Sequence, residues 1–140
     1  MHRRAARLEN FDTTYFPIDN NKIIFIHYFI TRQPLLIGDT YISVQASPQH
    51  YCQPKESLGF IHEYESVEMM IGNGLHPSAL GCPKEFDKPW YKDSVGSFVP
   101  IKICFKIISI IYENKKSEIL PDQKERIDLV MRYVKYMVLA

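Results

Sequence analysis

The sequence predicts an α+β fold: a small, mainly antiparallel sheet of three or four strands with two C-terminal helices packed on one face. Two segments, residues 40–46 and 64–71, alternate between apolar and polar side chains, as half-buried strands do. Residues 101–115 and the segment after Pro121 carry apolar side chains at helical spacing. Strands gathered early and helices gathered late are typical of α+β domains rather than of alternating, doubly wound sheets.

The chain of 140 residues has the length of one domain. Residues 1–21 lack apolar periodicity and contain Pro17, so we expect a mobile N-terminal arm there. Residues 22–140 are then a single α+β domain. Its first segment, residues 22–30, is a continuous apolar run rich in Ile and Phe, which favours a buried strand over a helix.

The strand candidates are separated by clear turn signals. The stretch that precedes residues 40–46 ends in the dipeptide Gly38-Asp39, which indicates a turn. A shorter strand is expected over residues 94–99. The connection over residues 72–89 is rich in Gly and Pro. A connection of that length in a compact domain is either functional or partly disordered.

The sequence evidence over residues 101–115 is divided between a helix and a strand. The apolar side chains of this segment fit both a strand alternation and a helical spacing, and its β-branched content favours a strand. Its length and the preceding Pro100 favour a helix, which is the interpretation taken here, with a strand left open. The second helix begins at Pro121 and extends to about Val138. Its apolar stripe comprises Ile127, Val130, Met131 and Val134.

The charge composition argues against a nucleic-acid-binding protein. Lys and Arg number 17 against 16 Asp and Glu, so the formal net charge is +1. Binding to nucleic acid needs a basic excess gathered on one face. The apolar fraction of 46% is ample for a core.

The cysteines and the N-terminus indicate a cytoplasmic protein. Cys52, Cys82 and Cys104 have no regular spacing, so a secreted disulfide framework is not expected. The basic start is not followed by the apolar segment of a secretory signal, and the run over residues 22–30 is too short to span a bilayer. We therefore expect reduced thiols and no membrane partner. No motif calls for a cofactor.

The most distinctive stretch is the polar loop over residues 45–54, directly after a predicted strand. It gathers hydroxyl, amide, imidazole, phenol and thiol groups, which can donate, accept, stack and titrate. Loops at strand ends often carry binding sites. The candidate binding residues are Gln45, Ser47, Gln49, His50, Tyr51, Cys52, Lys55 and, further along the chain, Trp90. The plainer alternative is a turn-rich connection in which Pro48 and Pro54 only punctuate the chain.

Two chemical alternatives use Cys52. Cys52 could bind zinc together with His50, His62, His76 and Cys82, but the paired ligand spacing of structural zinc sites is absent. As a nucleophile it would need His50 or His62 as base, and no orienting acid can be identified. Neither a metal site nor a catalytic residue is therefore predicted.

The tract over residues 84–92 mixes lysines with aromatic side chains, as some single-strand-binding surfaces do. Glu85 and Asp87 offset the lysine charge, so we interpret the tract as a solvated loop whose Trp90 is tucked into the core, caps a pocket or fills an interface. Further aromatic residues suit the surface of a homo-oligomer: Tyr91, Tyr133 and Tyr136.

Three motifs carry a family resemblance over roughly residues 41–112. They are residues 42–47 followed by His50-Tyr51-Cys52 and Pro54, the strand over residues 64–68, and residues 98–100 opening a helix. This pattern resembles a family of short uncharacterised proteins carried by bacteriophages and prophages. The family's usual arginine after the proline is Lys55 here. The resemblance implies a phage accessory protein that binds a host protein or a host signalling nucleotide.

These observations favour a small non-enzymatic binding or inhibitor protein of a phage or mobile element, with residues 45–54 as its contact site. The alternative is a small-molecule or nucleotide-binding domain in which the same loop lines a pocket and Lys55 faces a phosphate. The partner is accordingly a host protein or a small polar ligand. A Cys52-dependent enzyme or a zinc protein is the third hypothesis.

Overall fold

The computed structural model of the chain describes residue 31 and residues 33–139. The predicted N-terminal arm (residues 1–21) and the predicted strand over residues 22–30 lie outside the described residues. The described elements follow in the order β1 (Leu35–Ile37), β2 (Thr40–Gln45), β3 (Ser66–Ile71), β4 (Gly96–Pro100), α1 (Ile101–Lys115) and α2 (Lys124–Leu139).

The strands form a four-stranded sheet in the order β1-β2-β3-β4, and every neighbouring pair is antiparallel. Val44 lies opposite Met69, and Val67 lies opposite Val99. All of these side chains are buried, which places them on the core face of the sheet. The predicted α+β fold with an antiparallel sheet is confirmed.

The first strand, β1, was not predicted from the sequence. It has only three residues, too few for an alternation of side chains to be recognised. The predicted turn at Gly38-Asp39 connects it to β2. Gly38 has φ +64°, a conformation that a type II′ hairpin needs at its first central position. The side chain of Gln123 binds both the N–H and the C=O of Gly38, at 3.0 and 3.1 Å, and so ties the hairpin to the residue before α2.

The other strands were predicted with shifted ends. The strand expected over residues 64–71 begins at Ser66, and the N–H groups of Glu65 and Ser66 are both bound to the C=O of Gln53, at 2.8 and 3.3 Å. The strand expected over residues 94–99 is Gly96–Pro100. The long connection between β3 and β4 contains two short 3-10 turns, at Pro77–Leu80 and Lys84–Asp87.

Residues 101–115 form helix α1, so the open choice between helix and strand is decided for the helix. Lys102 and Lys106 are exposed. The buried residues follow a helical period: Cys104, Phe105, Ile107, Ile108 and Ile111. This face packs against β3 and β4.

Helix α2 begins at Lys124, after a turn that contains Pro121. Its predicted apolar stripe is buried: Ile127, Val130, Met131 and Val134. The helix packs on α1 and reaches β1, so both helices cover the core face of the sheet. Neither helix of the described part combines the length and the apolarity needed to cross a membrane.

Tyr133 of α2 corrects one expectation. Its side chain is only 1% exposed, so it cannot contribute to a self-associating surface. Its hydroxyl lies 2.9 Å from Nδ1 of His62, and its ring meets that of Phe105 edge to face at 5.6 Å. Tyr133 therefore joins the packed helices to the short turn before β3.

Candidate functional site

The predicted polar loop connects β2 to β3 and is anchored at both ends. A tight turn is closed by two backbone hydrogen bonds, from His50 N–H to Ser47 C=O (3.1 Å) and from Cys52 N–H to His50 C=O (3.0 Å). Gln53 then pairs with Ser66 at the start of β3. The loop is thus joined to the sheet at both ends, at its beginning by the chain of β2 and at its end by the pairing of Gln53 with Ser66.

Ser47 and His50 hold the turn through their side chains. The Ser47 hydroxyl oxygen accepts a hydrogen bond from the N–H of Gln49 at 3.1 Å, and it lies 2.6 Å from Nδ1 of His50. Such local side-chain bonds are characteristic of serine in turns. Of the predicted binding residues, these two are therefore occupied at least partly in shaping the loop.

Cys52 lies beneath the loop with no exposed surface. Its thiol donates towards the carbonyl oxygens of Ser47 (3.2 Å) and Pro54 (3.4 Å). Burial raises the pKa of the Cys52 thiol, although the Ser47 hydrogen bond and the charge of Lys55 act in the opposite direction. A reactive cysteine needs a lowered pKa and access, so Cys52 has the environment of a structural residue.

Tyr64 supports the loop from below. Its hydroxyl accepts a hydrogen bond from the N–H of Leu58 at 2.8 Å and lies 2.6 Å from the C=O of Glu56 and 3.2 Å from that of Ala46. The side chain is 1% exposed. Burial is the largest cause that raises the pKa of Tyr64, which keeps the hydroxyl protonated. One buried phenol therefore joins the two ends of the loop.

The outer surface of the loop carries an exposed aromatic pair. Tyr51 is 55% exposed and Phe98 of β4 is 41% exposed. Their ring centroids are 5.9 Å apart with an interplanar angle of 56°. The ammonium group of Lys55 lies 5.5 Å from the centroid of the Tyr51 ring. We call Tyr51, Lys55 and Phe98 the aromatic patch.

Backbone contacts fix the aromatic patch. The N–H of Phe98 donates to the C=O of Tyr51 at 3.0 Å. The N–H of Tyr51 donates to the carboxylate of Glu68 at 3.1 Å. Glu68 lies where the β3–β4 register shifts, between Val67 and Met69. The two rings are thus held by main-chain bonds and need no rearrangement to lie side by side.

Phe98 has an unusual backbone conformation. Its φ is +54°, in the left-handed region. There an L-residue is disfavoured by about 1–2 kcal/mol. This conformation accompanies the register shift between β3 and β4 and the hydrogen bond of the Phe98 N–H to the loop. Sequence reasoning missed Phe98 as a site residue, since no neighbouring residue type signals a positive φ at phenylalanine.

The amide side chains of the loop belong to Gln45, Gln49 and Gln53. Gln45 ends β2, and its side chain donates to the Ser43 hydroxyl at 3.3 Å. Gln49 is exposed, and its side-chain oxygen accepts from the Ser47 hydroxyl at 3.1 Å. Gln53, which sequence reasoning did not select, is exposed and uses its backbone to pair with β3.

Trp90 lies apart from this surface because its side chain is 0% exposed. A Cβ atom at Gly96 would approach the indole ring to 2.8 Å, so the missing side chain of Gly96 makes room for Trp90. The indole N–H has no hydrogen-bond partner among the described residues. Of the three positions predicted for Trp90, namely the core, the cap of a pocket and an interface, the structure shows the core.

Possible metal ligands, the two other cysteines and a surface cavity were the remaining places in the described residues where a site could lie. No group of three or more His, Cys, Asp or Glu side chains in the described part is placed to hold a metal ion. Burial raises the pKa of Cys82 to about 11 and that of Cys104 to about 12. A cavity of about 420 Å³ lies between the end of α1 and the start of α2 and contains none of the predicted site residues.

No protein family, curated protein or solved structure gives a match to this chain.

Proposed function

We propose that this chain is a small non-enzymatic binding protein that contacts its partner through the loop over residues 45–55 and Phe98. The observation that carries the proposal is the aromatic patch: a phenylalanine at φ +54°, 41% exposed, beside a tyrosine that is 55% exposed. Aromatic side chains are enriched among the residues that dominate binding energy. Their exposed apolar area contributes nothing to folding and is available for a partner to bury.

The surroundings of the patch support binding rather than chemistry. Cys52, the cysteine of this loop, is buried, and burial raises the pKa of its thiol. His50 directs Nδ1 to the Ser47 hydroxyl of its own turn. The resemblance to phage and prophage proteins agrees with an accessory protein that acts on a host component, and it stays a prediction.

The test is a pull-down from a bacterial lysate with the parent chain and two variants. Phe98→Gly removes the ring, and glycine suits the left-handed backbone, so the variant should remain folded. Tyr91→Gly is the matched control, because Tyr91 also has a positive φ (+46°), is 75% exposed, and has the Lys92 ammonium group 5.7 Å from its ring centroid.

We expect a partner captured by the parent to be retained by Tyr91→Gly and lost from Phe98→Gly. Retention of the partner by Phe98→Gly, or equal loss from both variants, would contradict the assignment of the contact surface. Tyr51→Ala removes the other ring of the aromatic patch and should also abolish capture of the partner.

The nucleotide-binding alternative rests on the position of Lys55 above the Tyr51 ring, a cation beside a stacking surface. Thermal unfolding against a nucleotide panel separates the two functions. A ligand at one hundred times its dissociation constant adds about 2.7 kcal/mol of stability. A flat panel would remove this alternative, and a stabilising nucleotide whose effect is lost in Lys55→Gln would favour it.

A further inference from the structure

The aromatic patch is a preformed surface for a rigid apolar group. Its two rings lie 5.9 Å apart at 56°, and the main chains that carry them are joined by the Phe98 N–H bond to the Tyr51 C=O. Proline-rich segments dock against surfaces lined by aromatic side chains, and their polyproline II helix exists before binding and therefore loses little entropy.

Hydrogen-bond donors surround the rings. The Tyr51 hydroxyl and the side-chain amide of Gln53 make no hydrogen bond within the part of the chain that the structure describes, and both residues are exposed. A polyproline II segment has no internal hydrogen bonds, so its carbonyl oxygens need donors from outside. The patch therefore offers both parts of such a site, ring surface and donors.

The patch carries one cation, Lys55, that can face an acidic residue, but the Glu68 carboxylate on the Tyr51 N–H (3.1 Å) leaves it without the positive excess that a polyanion needs. Lys55 forms no ion pair with any residue in the described ranges. The adjacent segment over residues 84–93 is joined to β4 by the Ser97 N–H bond to the Pro89 C=O (3.1 Å). That segment balances its lysines with acids: Lys84, Lys88 and Lys92 against Glu85, Asp87 and Asp93. A nucleic-acid strand needs a positive groove, which this balance does not provide.

We propose that the aromatic patch recognises a proline-rich segment of its partner, in the polyproline II conformation, with an acidic residue beside the prolines that faces Lys55. This proposal rests on the proposed function and names the partner's chemistry. Proline rings lie on Tyr51 and Phe98, and Gln53 and the Tyr51 hydroxyl donate to the segment's carbonyl oxygens.

The experiment is an NMR titration of the isotope-labelled full chain with a synthetic peptide of consecutive prolines flanked by glutamates. The expected result is a set of shifts confined to Tyr51, Gln53, Lys55 and Phe98. Phe98→Gly should weaken the affinity about tenfold or more, as for an aromatic hot spot. Tyr51→Ala should do the same, and Tyr91→Gly should leave the affinity unchanged.

Three control probes complete the test. Replacing the prolines by alanines should abolish binding. Replacing the glutamates of the peptide by glutamines should weaken its affinity for the parent protein. Lys55→Gln should weaken the affinity for the original acidic peptide by about the same factor. The two changes together should weaken the affinity no more than either change alone. Oligothymidine should not bind.

The outcomes separate this inference from the proposed function. Absence of shifts, shifts elsewhere on the surface, equal binding of the alanine peptide, or binding of oligothymidine at the patch would each overturn the proline-rich partner. If the lysate pull-down still depends on Phe98 in that case, the binding function stands with a partner of other chemistry. If that dependence is also absent, both proposals fall.

Discussion

The helix-covered face of the sheet and the loop over residues 45–55 are stabilised in different ways. On the covered face, Val130 and Cys104 have no exposed surface and make apolar contacts. In the loop, the order comes from hydrogen bonds of Ser47, Cys52 and Tyr64 to the main chain, while Tyr51 stays half exposed. Apolar burial supplies most folding energy, whereas hydrogen bonds set local geometry at small net gain. Changes in the two regions should therefore differ in size and in kind.

The largest effect is expected from Val130→Asp. Val130 is 0% exposed within the stripe of α2, so the carboxylate would be buried without a partner and the free energy of unfolding should fall by about 4 kcal/mol or more. Circular dichroism melts should show an unfolded or aggregated protein. Lys124→Asp puts the same carboxylate at the exposed start of α2 and should change stability by less than about 1 kcal/mol. A Val130→Asp variant that melts like the parent would make α2 a peripheral element.

The next effect is a loss of stability at alkaline pH. Burial raises the pKa of Cys82 to about 11 and of Cys104 to about 12 from an ordinary value of 9.0. Above pH 9 the unfolded thiols ionise while the folded thiols stay protonated, so stability is complete below pH 9 and falls as the pH rises from there towards the folded pKa values. At pH 10 the loss is about 1.4 kcal/mol for each thiol.

Urea unfolding at pH 8 and pH 10, under reducing conditions, measures this loss. The variant Cys104→Ala should start from a lower stability at pH 8 but lose about 1.4 kcal/mol less between the two pH values. An identical pH dependence in the parent and the variant would show that Cys104 is not the titrating group.

A smaller effect, about 1–3 kcal/mol, is expected from Tyr64→Phe. The change removes the hydroxyl that accepts from the N–H of Leu58 at 2.8 Å and so leaves that buried donor unpaired. Tyr41→Phe is the control, because the Tyr41 hydroxyl binds the Asn73 side chain at an exposed position (3.0 Å) and should matter by about 0.5 kcal/mol. Equal urea midpoints for the two variants would mean that Tyr64 does not hold the loop.

The smallest effect on stability is expected from His50→Ala. It removes the contact with the Ser47 hydroxyl at a half-buried position, so the melting curve should change by less than about 1 kcal/mol while partner capture decreases. Collapse of the fold in this variant would make the polar loop a structural element, and the difference between the two regions would disappear.

Local side-chain periodicity was sufficient to predict β2, β3 and the buried stripe of α2. Those segments repeat a period of two or of about 3.6 over several residues, and the core face follows directly from the repeat. The polar loop over residues 45–54 was predicted differently, from its chemical composition. Residues 101–115 fitted both periods, so the sequence left two structures open there, and in the folded chain they form a helix whose buried face packs against β3 and β4.

Tertiary contacts alone decided which side chains of the candidate site are accessible. Trp90 is buried, and Gly96 leaves space for its indole ring. No periodic pattern in the sequence connects these two residues. Phe98 is presented beside Tyr51 because a hydrogen bond to the loop accompanies its positive φ. Periodicity reports which side chains share a face of one element, whereas accessibility depends on which other segment covers that face. The sequence by itself therefore determined β2, β3, the buried stripe of α2 and the polar loop, and only the folded chain added β1, selected the helix over residues 101–115, placed Phe98 at the surface and buried Trp90.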